Sequence, residues 1–440
     1  MAGQWDVLII GAGVAGLTAG AQLAAQGHSV LILEARDRVG GRVWTRHEAG
    51  LSAPVELGAE FIHGQIAATF ELLQEVGKAA LDSSGRRWTV RQGKLQQRGD
   101  SLFDQVQHGL KRFADSGHAD VPFEKFLADG NHYGISQDAA RIARASVEGF
   151  DAADPAEAST LSIAEEWSAG GMLDAPQFRP SGGYSSVLSA LSGALERKHV
   201  RLQLHTVVQG VSWTHTAVEV DAQFLGKPFH ARARKAIVTL PLGVLQAPPQ
   251  ATGAVRFTPP LNDRHAAAVA GLASGPVLKV VLRFRSAFWE EIDGGRYRDA
   301  GFFHAPDSPF PTFWTTRPLS APLLNAWAGG PRAARLAQGS MTEVMREAAD
   351  NAQALFGGQD RELEAAYVHD WQSDPFSRGA YSYVKTGGQH ARRDLAAPIH
   401  DTLFFAGEAT DSEGGTVTGA LNSGTRAARE VHKSLKPGRT

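Results

Sequence analysis

One stretch constrains this chain more than any other: Trp5 to Leu17 reads WDVLIIGAGVAGL. Val7 to Ile10 is apolar, rich in β-branched residues and too short for a helix, so it reads as a buried parallel strand. Gly11, Gly13 and Gly16 follow in G-x-G-x-x-G spacing, with Ala15 between the last two. Gly11 permits a tight turn, Gly13 lets a pyrophosphate approach bare backbone, and Gly16 lets a helix pack close to the strand. Leu17 to Ala25 continues as a helix that Gly27 stops, and Val30 to Leu33 is a second strand ending at Glu34. An acid about 20 residues beyond the glycines stands where a ribose hydroxyl is gripped. It would also repel a 2′-phosphate. The free first-turn N–H groups and the helix dipole favour the phosphates. This unit predicts a dinucleotide site and leaves NAD and FAD both open.

Composition narrows the chemistry. The 440 residues suffice for two domains. A net charge of −2 argues against nucleic acid or an anionic membrane as an electrostatic partner. There is no cysteine, which excludes disulfides, thiolate-held metals and a thiol nucleophile. The 16 histidines show no H-E-x-x-H or zinc-finger spacing, so no metal is expected. No run approaches the roughly 18 apolar residues of a membrane span, and no signal-peptide pattern opens the chain. The expectation is a cytoplasmic protein.

Between the motifs, apolar spacing predicts helices at Ala67 to Val76, Ser101 to Phe113, Gln137 to Val147 and Ser162 to Ala169, around a small β piece at Arg87 to Leu95. Ser181 to Tyr184 marks a change of character. A helix at Val187 to Leu195 follows, then strands at Val200 to Leu204, His205 to Trp213, Val218 to Phe224 and Ala236 to Leu240. Further on come a helix at His265 to Leu272, a strand at Val277 to Phe284 and a helix at Met341 to Phe356. A last strand at Leu403 to Ala406 and a last helix at Gly419 to Lys433 complete the pattern.

Ala35, Arg36, Gly40, Gly41 and Arg42 follow Glu34 directly, a loop suited to fold over an anion-rich cofactor segment. At this point the sequence resembles the flavin-containing amine oxidases. The resemblance continues in Leu57 to Gly64, Thr239 to Leu245, Leu278 to Val280, Trp371 to Tyr383 and Phe404 to Thr410, in the family's order. It implies an α/β fold: a Rossmann-like FAD-binding domain of glutathione-reductase type with a discontinuous α+β substrate-binding domain. The expected division gives 1–65, 181–255 and 385–440 to FAD, and 66–180 and 256–384, with a mainly helical insertion, to the substrate. Carried over residue by residue, the cofactor contacts add Gly58, Ala59, Glu60, Phe61, Val208, Thr239, Trp371, Gly407, Glu408, Thr416, Val417 and Ala420. Val208 also reads as simple core packing. Covalently flavinylated members have cysteine where Ala380 stands, which implies noncovalent FAD.

Period-two alternation puts Lys279 on the face of Val277 and Val281, where an ammonium needs a partner. A lysine on an edge strand facing solvent is the competing reading. The resemblance implies that Lys279 holds a water beside the flavin, and that Trp371 and Tyr381 flank the amine. Aromatic faces attract an ammonium. Thr416 stands where monoamine oxidases have a second tyrosine, so the cage is half open, as in lysine-specific demethylases and some polyamine oxidases. His63 matches a histidine near the substrate amine of animal polyamine oxidases; capping of a loop is the competing reading.

The implied reaction is oxidation of an amine to an imine, hydrolysed to a carbonyl compound, with O2 reduced to H2O2. Polyamines lead among substrates, although no Asp/Glu pair stands out by spacing as their anchor. An L-amino-acid oxidase is the alternative and needs an arginine for the carboxylate: Arg86, Arg98, Arg112, Arg141 and Arg179 are available. A desaturase and a catalytically silent FAD-binding scaffold remain, and the oligomeric state is open.

Overall fold

The structure, a computed structural model, describes residues 4–97, 101–168, 175–196, 200–358 and 362–436. Among these, two large sheets organise the chain. The first has eight strands, ordered Val200–Gln203, Val30–Leu33, Trp5–Ile10, Lys227–Val238, Val218–Phe224, Thr206–Trp213 and Arg256–Thr258, with Leu403–Phe405 also on Lys227–Val238. Trp5–Ile10 pairs in parallel with Val30–Leu33 and with Lys227–Val238; Val200–Gln203 pairs in parallel with Val30–Leu33, and Leu403–Phe405 with Lys227–Val238. Val7 and Ile9 face one apolar cluster, Leu8 and Ile10 another. Burial of both faces explains why Val7 to Ile10 is apolar without alternation. This is a Rossmann-like arrangement.

The helices Val14–Ala25, Ser185–Glu196 and Val417–Leu435 cover the Val7 face. Close approach sets the glycines. A Cβ on Gly16 would lie 2.1 Å from the Gly11 carbonyl oxygen, and one on Gly424 would lie 2.4 Å from that of Ala15. The first helix begins at Val14, three residues before the expected Leu17, because Gly13 itself is the N-cap.

The second sheet has seven strands, ordered Leu363–Val368, Val277–Phe284, Leu323–Gly329, Thr312–Thr315, Ala300–His304, Arg86–Arg91 and Lys94–Gln97. Of these, the sequence pattern offered only Val277 to Phe284 and the Arg87 region. The expected piece at Arg87 to Leu95 is a hairpin of two strands. Leu323–Gly329 escaped because Asn325 is buried in it, which breaks the alternation. Ala300–His304 and Thr312–Thr315 are too short to show a period. The helix expected at His265 to Leu272 is Asp263–Ala270, and Leu272–Gly275 instead pairs with Tyr381–Val384. Arg256–Thr258, beyond the expected boundary at 255, joins the first sheet.

Ser101–Asp115, Phe123–Ala128, Gln137–Gly149 and Thr160–Glu166 form a helical layer whose core includes Phe123, Phe126 and Trp167. Ala169, the expected end of the last of these helices, lies outside the described residues. Among the described residues no helix is long and apolar enough to cross a membrane.

Candidate active site

The carboxyl ends of the parallel strands run into Gly11, Glu34, Thr239 and Gly407, and all four line one cavity of about 820 Å3. Open α/β sheets bind ligands at this end. The same cavity extends to Lys279 on the second sheet and to Phe150, directly after the helix Gln137–Gly149.

The nucleotide end fits a dinucleotide. Gly11 has φ +106°, and a Cβ there would lie 2.6 Å from the Thr239 hydroxyl, which donates to the Ile10 carbonyl at 2.8 Å. A Cβ on Gly13 or on Gly407 would meet no atom within 4 Å, and both residues border the cavity. Bare backbone therefore faces open space at both. Gly13 caps its helix without a capping side chain, which leaves first-turn N–H groups for an anion. Glu34 is buried and accepts from the Ala12 N–H at 2.8 Å and the Arg36 N–H at 2.9 Å, so it fixes the glycine loop while bordering the cavity. Ala15, Ala35, Gly40, Gly41, Val208, Val417 and Ala420 line it too.

The arginines of the second motif are already engaged. Arg36 bonds Asp374 at 2.8 Å and Ser377 at 2.9 Å. Burial would raise the Asp374 carboxyl, but bonds from His369 and Arg36 outweigh it and hold the group well below the usual range. Arg42 donates to Glu408 at 2.9 Å and to the Ala380 carbonyl at 2.6 Å. Buried Glu408 also accepts from the Ser382 hydroxyl at 2.6 Å and the Gly415 N–H at 2.9 Å. Burial pushes its carboxyl up, and Arg42 and Arg392 more than reverse that. Glu408 thus ties the second motif to the Ser382 strand and to the loop before the last helix.

At the other end, Lys279 is 4% exposed. Val277–Phe284 runs between two neighbouring strands, so the edge-strand reading fails. The ammonium donates to Glu60 at 2.5 Å and to the Gly58 carbonyl at 3.2 Å. Trp371 donates from its indole to the Leu57 carbonyl at 2.9 Å, and Tyr381 donates its hydroxyl to the Phe150 carbonyl at 2.7 Å. Both rings are thereby fixed at the cavity wall. Gly58 and Ala59 line it between them, and a Cβ on Gly58 would lie 1.9 Å from the Arg42 carbonyl oxygen.

Thr416 lines the cavity, but its hydroxyl accepts from the Gly419 N–H at 2.9 Å and donates to the Glu413 carbonyl at 2.6 Å. The side chain caps the last helix. A Cβ on Gly415, which has φ +74°, would lie 3.2 Å from the Tyr381 ring. His63 borders the cavity between Phe61 and Phe150, with ring centroids at 6.3 Å and 5.7 Å. Its buried Nδ1 has no hydrogen-bond partner, and burial lowers its pKa to about 4, so it stands as a neutral imidazole.

Residues 14–432 match the family described as flavin containing amine oxidoreductase. The chain belongs to that family. It is 30% identical over 516 residues to lysine-specific histone demethylase 1 homolog 3 of Arabidopsis thaliana, a match that takes in 98% of this chain and 30% of that protein's length. It is 27% identical over 465 residues to polyamine oxidase 2 of the same plant, covering 97% of this chain and 87% of the relative. A solved wild-type putrescine oxidase bound to putrescine superposes with a TM-score of 0.82 at 23% identity, covering 98% and 99% of the two chains. At that identity the likeness is one of fold.

For a flavin-containing amine oxidoreductase, the residues that sequence reading missed are informative. Asp151 and Glu166 both line the cavity and interact through their charges. Asp151 is 9% exposed, and its Oδ2 is buried without a hydrogen-bond partner. Burial, and then the Glu166 charge, push its carboxyl well above the usual range; burial raises Glu166 too, against Arg392. Spacing could not reveal the pair, because one acid follows Gln137–Gly149 and the other ends Thr160–Glu166. Phe302, Trp314 and Trp327, on strands without a sequence signal, complete the aromatic lining.

The arginines needed for a substrate carboxylate are mostly committed. Arg179 bonds Glu60, the Thr315 carbonyl and the Arg317 carbonyl. Arg86 pairs with Asp299, and Arg112 donates to the Tyr133 carbonyl. Arg141 does border the cavity, paired with Asp307 at 3.7 Å. Arg98 lies outside the described residues. Among the described residues no cluster suits a metal ion.

Glu56, behind this wall, accepts from the Thr45 hydroxyl at 2.8 Å and the Tyr184 N–H at 2.7 Å. Burial nevertheless raises its pKa from 4.5 to about 7. The folded chain therefore holds a proton that the unfolded chain has lost. The associated stability is full below 4.5 and is lost as pH rises through about 7. Glu56→Gln, compared with wild type by chemical denaturation, is expected to gain relative stability from about pH 5 to about pH 8, by up to about 3 kcal/mol. A difference that stays flat with pH contradicts this assignment.

Proposed function

We propose that this chain is an FAD-dependent oxidase of amines that carry a second positive charge, diamines and polyamines first among them. The observation that carries the reading is the Asp151–Glu166 pair, an acidic and incompletely bonded patch in the same cavity as Lys279, Trp371 and Tyr381. Two buried carboxyls do not readily both ionise; a cation beside them lowers that cost. A distal ammonium supplies such a cation. The relative named as a polyamine oxidase supports the class.

FAD, when bound, supplies the two-electron oxidation of the amine to an imine and delivers the electrons to O2 as H2O2, while water hydrolyses the imine. The residues do the rest. Gly11 and Gly13 with the first helix receive the pyrophosphate, Gly16 lets that helix pack close, and Glu34 receives a ribose hydroxyl. Ala380 offers no thiol, so the cofactor is held noncovalently. Val417 and Ala420 line the cavity at the amino end of the last helix, where the dipole favours negative charge on the ring system, and the Ala420 N–H itself bonds the Thr416 carbonyl. Trp371 and Tyr381, each pinned by one hydrogen bond, orient the reacting amine. Neutral His63, whose buried Nδ1 has no other partner, accepts a hydrogen bond from it. Lys279 holds a water. In this reading the two domains divide the work as the resemblance implies.

The test is a peroxide assay on the flavin-loaded protein with putrescine, spermidine and spermine, with monoamines of matching length, with a methyl-lysine peptide and with L-amino acids. The diamine or polyamine is expected to exceed its matching monoamine in kcat/KM by about 100-fold. A monoamine, a peptide or an amino acid that matches or beats it contradicts the reading.

A further inference from the structure

Lys279 does not sit alone at the cavity floor. Glu60 accepts from Lys279 at 2.5 Å through Oε2 and from Arg179 at 3.0 Å through Oε1. All three side chains are nearly buried, at 3%, 7% and 12% exposure. Arg179 is itself anchored: it donates to the Thr315 and Arg317 carbonyls, and its guanidinium lies 4.5 Å from the centre of the Phe61 ring. Lys279 likewise lies 5.6 Å from the centre of the Trp314 ring. One carboxylate is shared between two cations, each seated near an aromatic ring.

We propose that Glu60 is the positioning residue for Lys279, and that Arg179, by occupying the other carboxylate oxygen, leaves the trio with a net positive charge beside the cavity floor. A simple Lys–Glu pair would be neutral there. Glu60 fixes where the Lys279 ammonium points, since the carboxylate and the Gly58 carbonyl take two of its three donors and leave one for the cavity. Arg179 supplies the uncompensated charge. Glu56, the nearby acid, is protonated below about pH 7 and does not cancel it there. Such a charge, in a poorly solvated site, favours an anionic reduced ring system over the neutral oxidised one. This assignment rests on the flavin reading above and adds to it the group that sets the cofactor's potential.

The test is the midpoint potential of the bound flavin, read by dye-coupled reduction at about pH 6. Removing a positive charge with Arg179→Met is expected to shift the reduction equilibrium at least about tenfold toward the oxidised form, about 30 mV downward for a two-electron couple. Removing the negative charge with Glu60→Gln is expected to shift it upward by a similar factor. A merely structural role for the trio would not give opposite signs. Arg179→Lys keeps the charge without the guanidinium fork and is expected to restore the wild-type potential. Should Glu60→Gln not fold, the Arg179→Met and Arg179→Lys pair decides alone. A flavin-loaded Arg179→Met protein with an unchanged potential overturns this inference while leaving the proposed function intact. A wild-type protein that retains no flavin overturns both.

Discussion

Asp151→Asn combined with Glu166→Gln is expected to lower kcat/KM for a diamine by about 100-fold and to leave that for the monoamine of equal length within about threefold. The double variant keeps the shape of the cavity wall and removes its charge. Each carboxyl is unfavourable where it stands: burial pushes both up, and Asp151 Oδ2 lacks a hydrogen-bond partner. The same variant is therefore expected to gain stability, by about 1–3 kcal/mol in chemical denaturation at neutral pH. Lost specificity with increased stability is the signature of a site kept for a ligand rather than for the fold. Equal losses on the diamine and the monoamine would assign the pair to general architecture.

Glu408→Ala is expected to cost about 3–5 kcal/mol of stability and most of the bound flavin. Removing this buried carboxylate leaves Arg42 and Arg392 without their shared counter-charge, and leaves the Ser382 hydroxyl and the Gly415 N–H without an acceptor. Three segments part company at once: the loop after the second strand, the Ser382 strand and the approach to the last helix. Glu408→Gln retains an acceptor and is expected to lose less. Denaturation curves together with flavin content per chain check both variants. A loss below about 1 kcal/mol for the alanine variant would show that the arginines find other partners.

The two ends of the cavity differ in how far the sequence discloses them. The nucleotide end is local. Strand, glycines, helix and acid lie between Trp5 and Glu34; Gly16 is explained by Gly11 five residues earlier and Gly13 by open space, although the space beside Gly11 is closed by distant Thr239. Lys279 was legible by half. Alternation gave its face, the resemblance gave its role, and neither gave Glu60, which lies 219 positions earlier. Arg179 was one of five arginines available to a substrate carboxylate, and it bonds Glu60 instead. Thr416 looked like an open wall and also serves as a helix cap. Asp151 and Glu166 carried no signal, because burial and juxtaposition of charges arise only when the helical layer closes on the second sheet. Several strands of that sheet were hidden by their shortness, and with them Phe302, Trp314 and Trp327.

Anaerobic mixing of the purified protein with putrescine or spermidine, followed by the visible absorbance of its flavin, tests the account most directly. The account predicts rapid bleaching by the amine alone, reversed by air with formation of peroxide. A yellow protein that dithionite bleaches, and that no amine of the panel does, would contradict it.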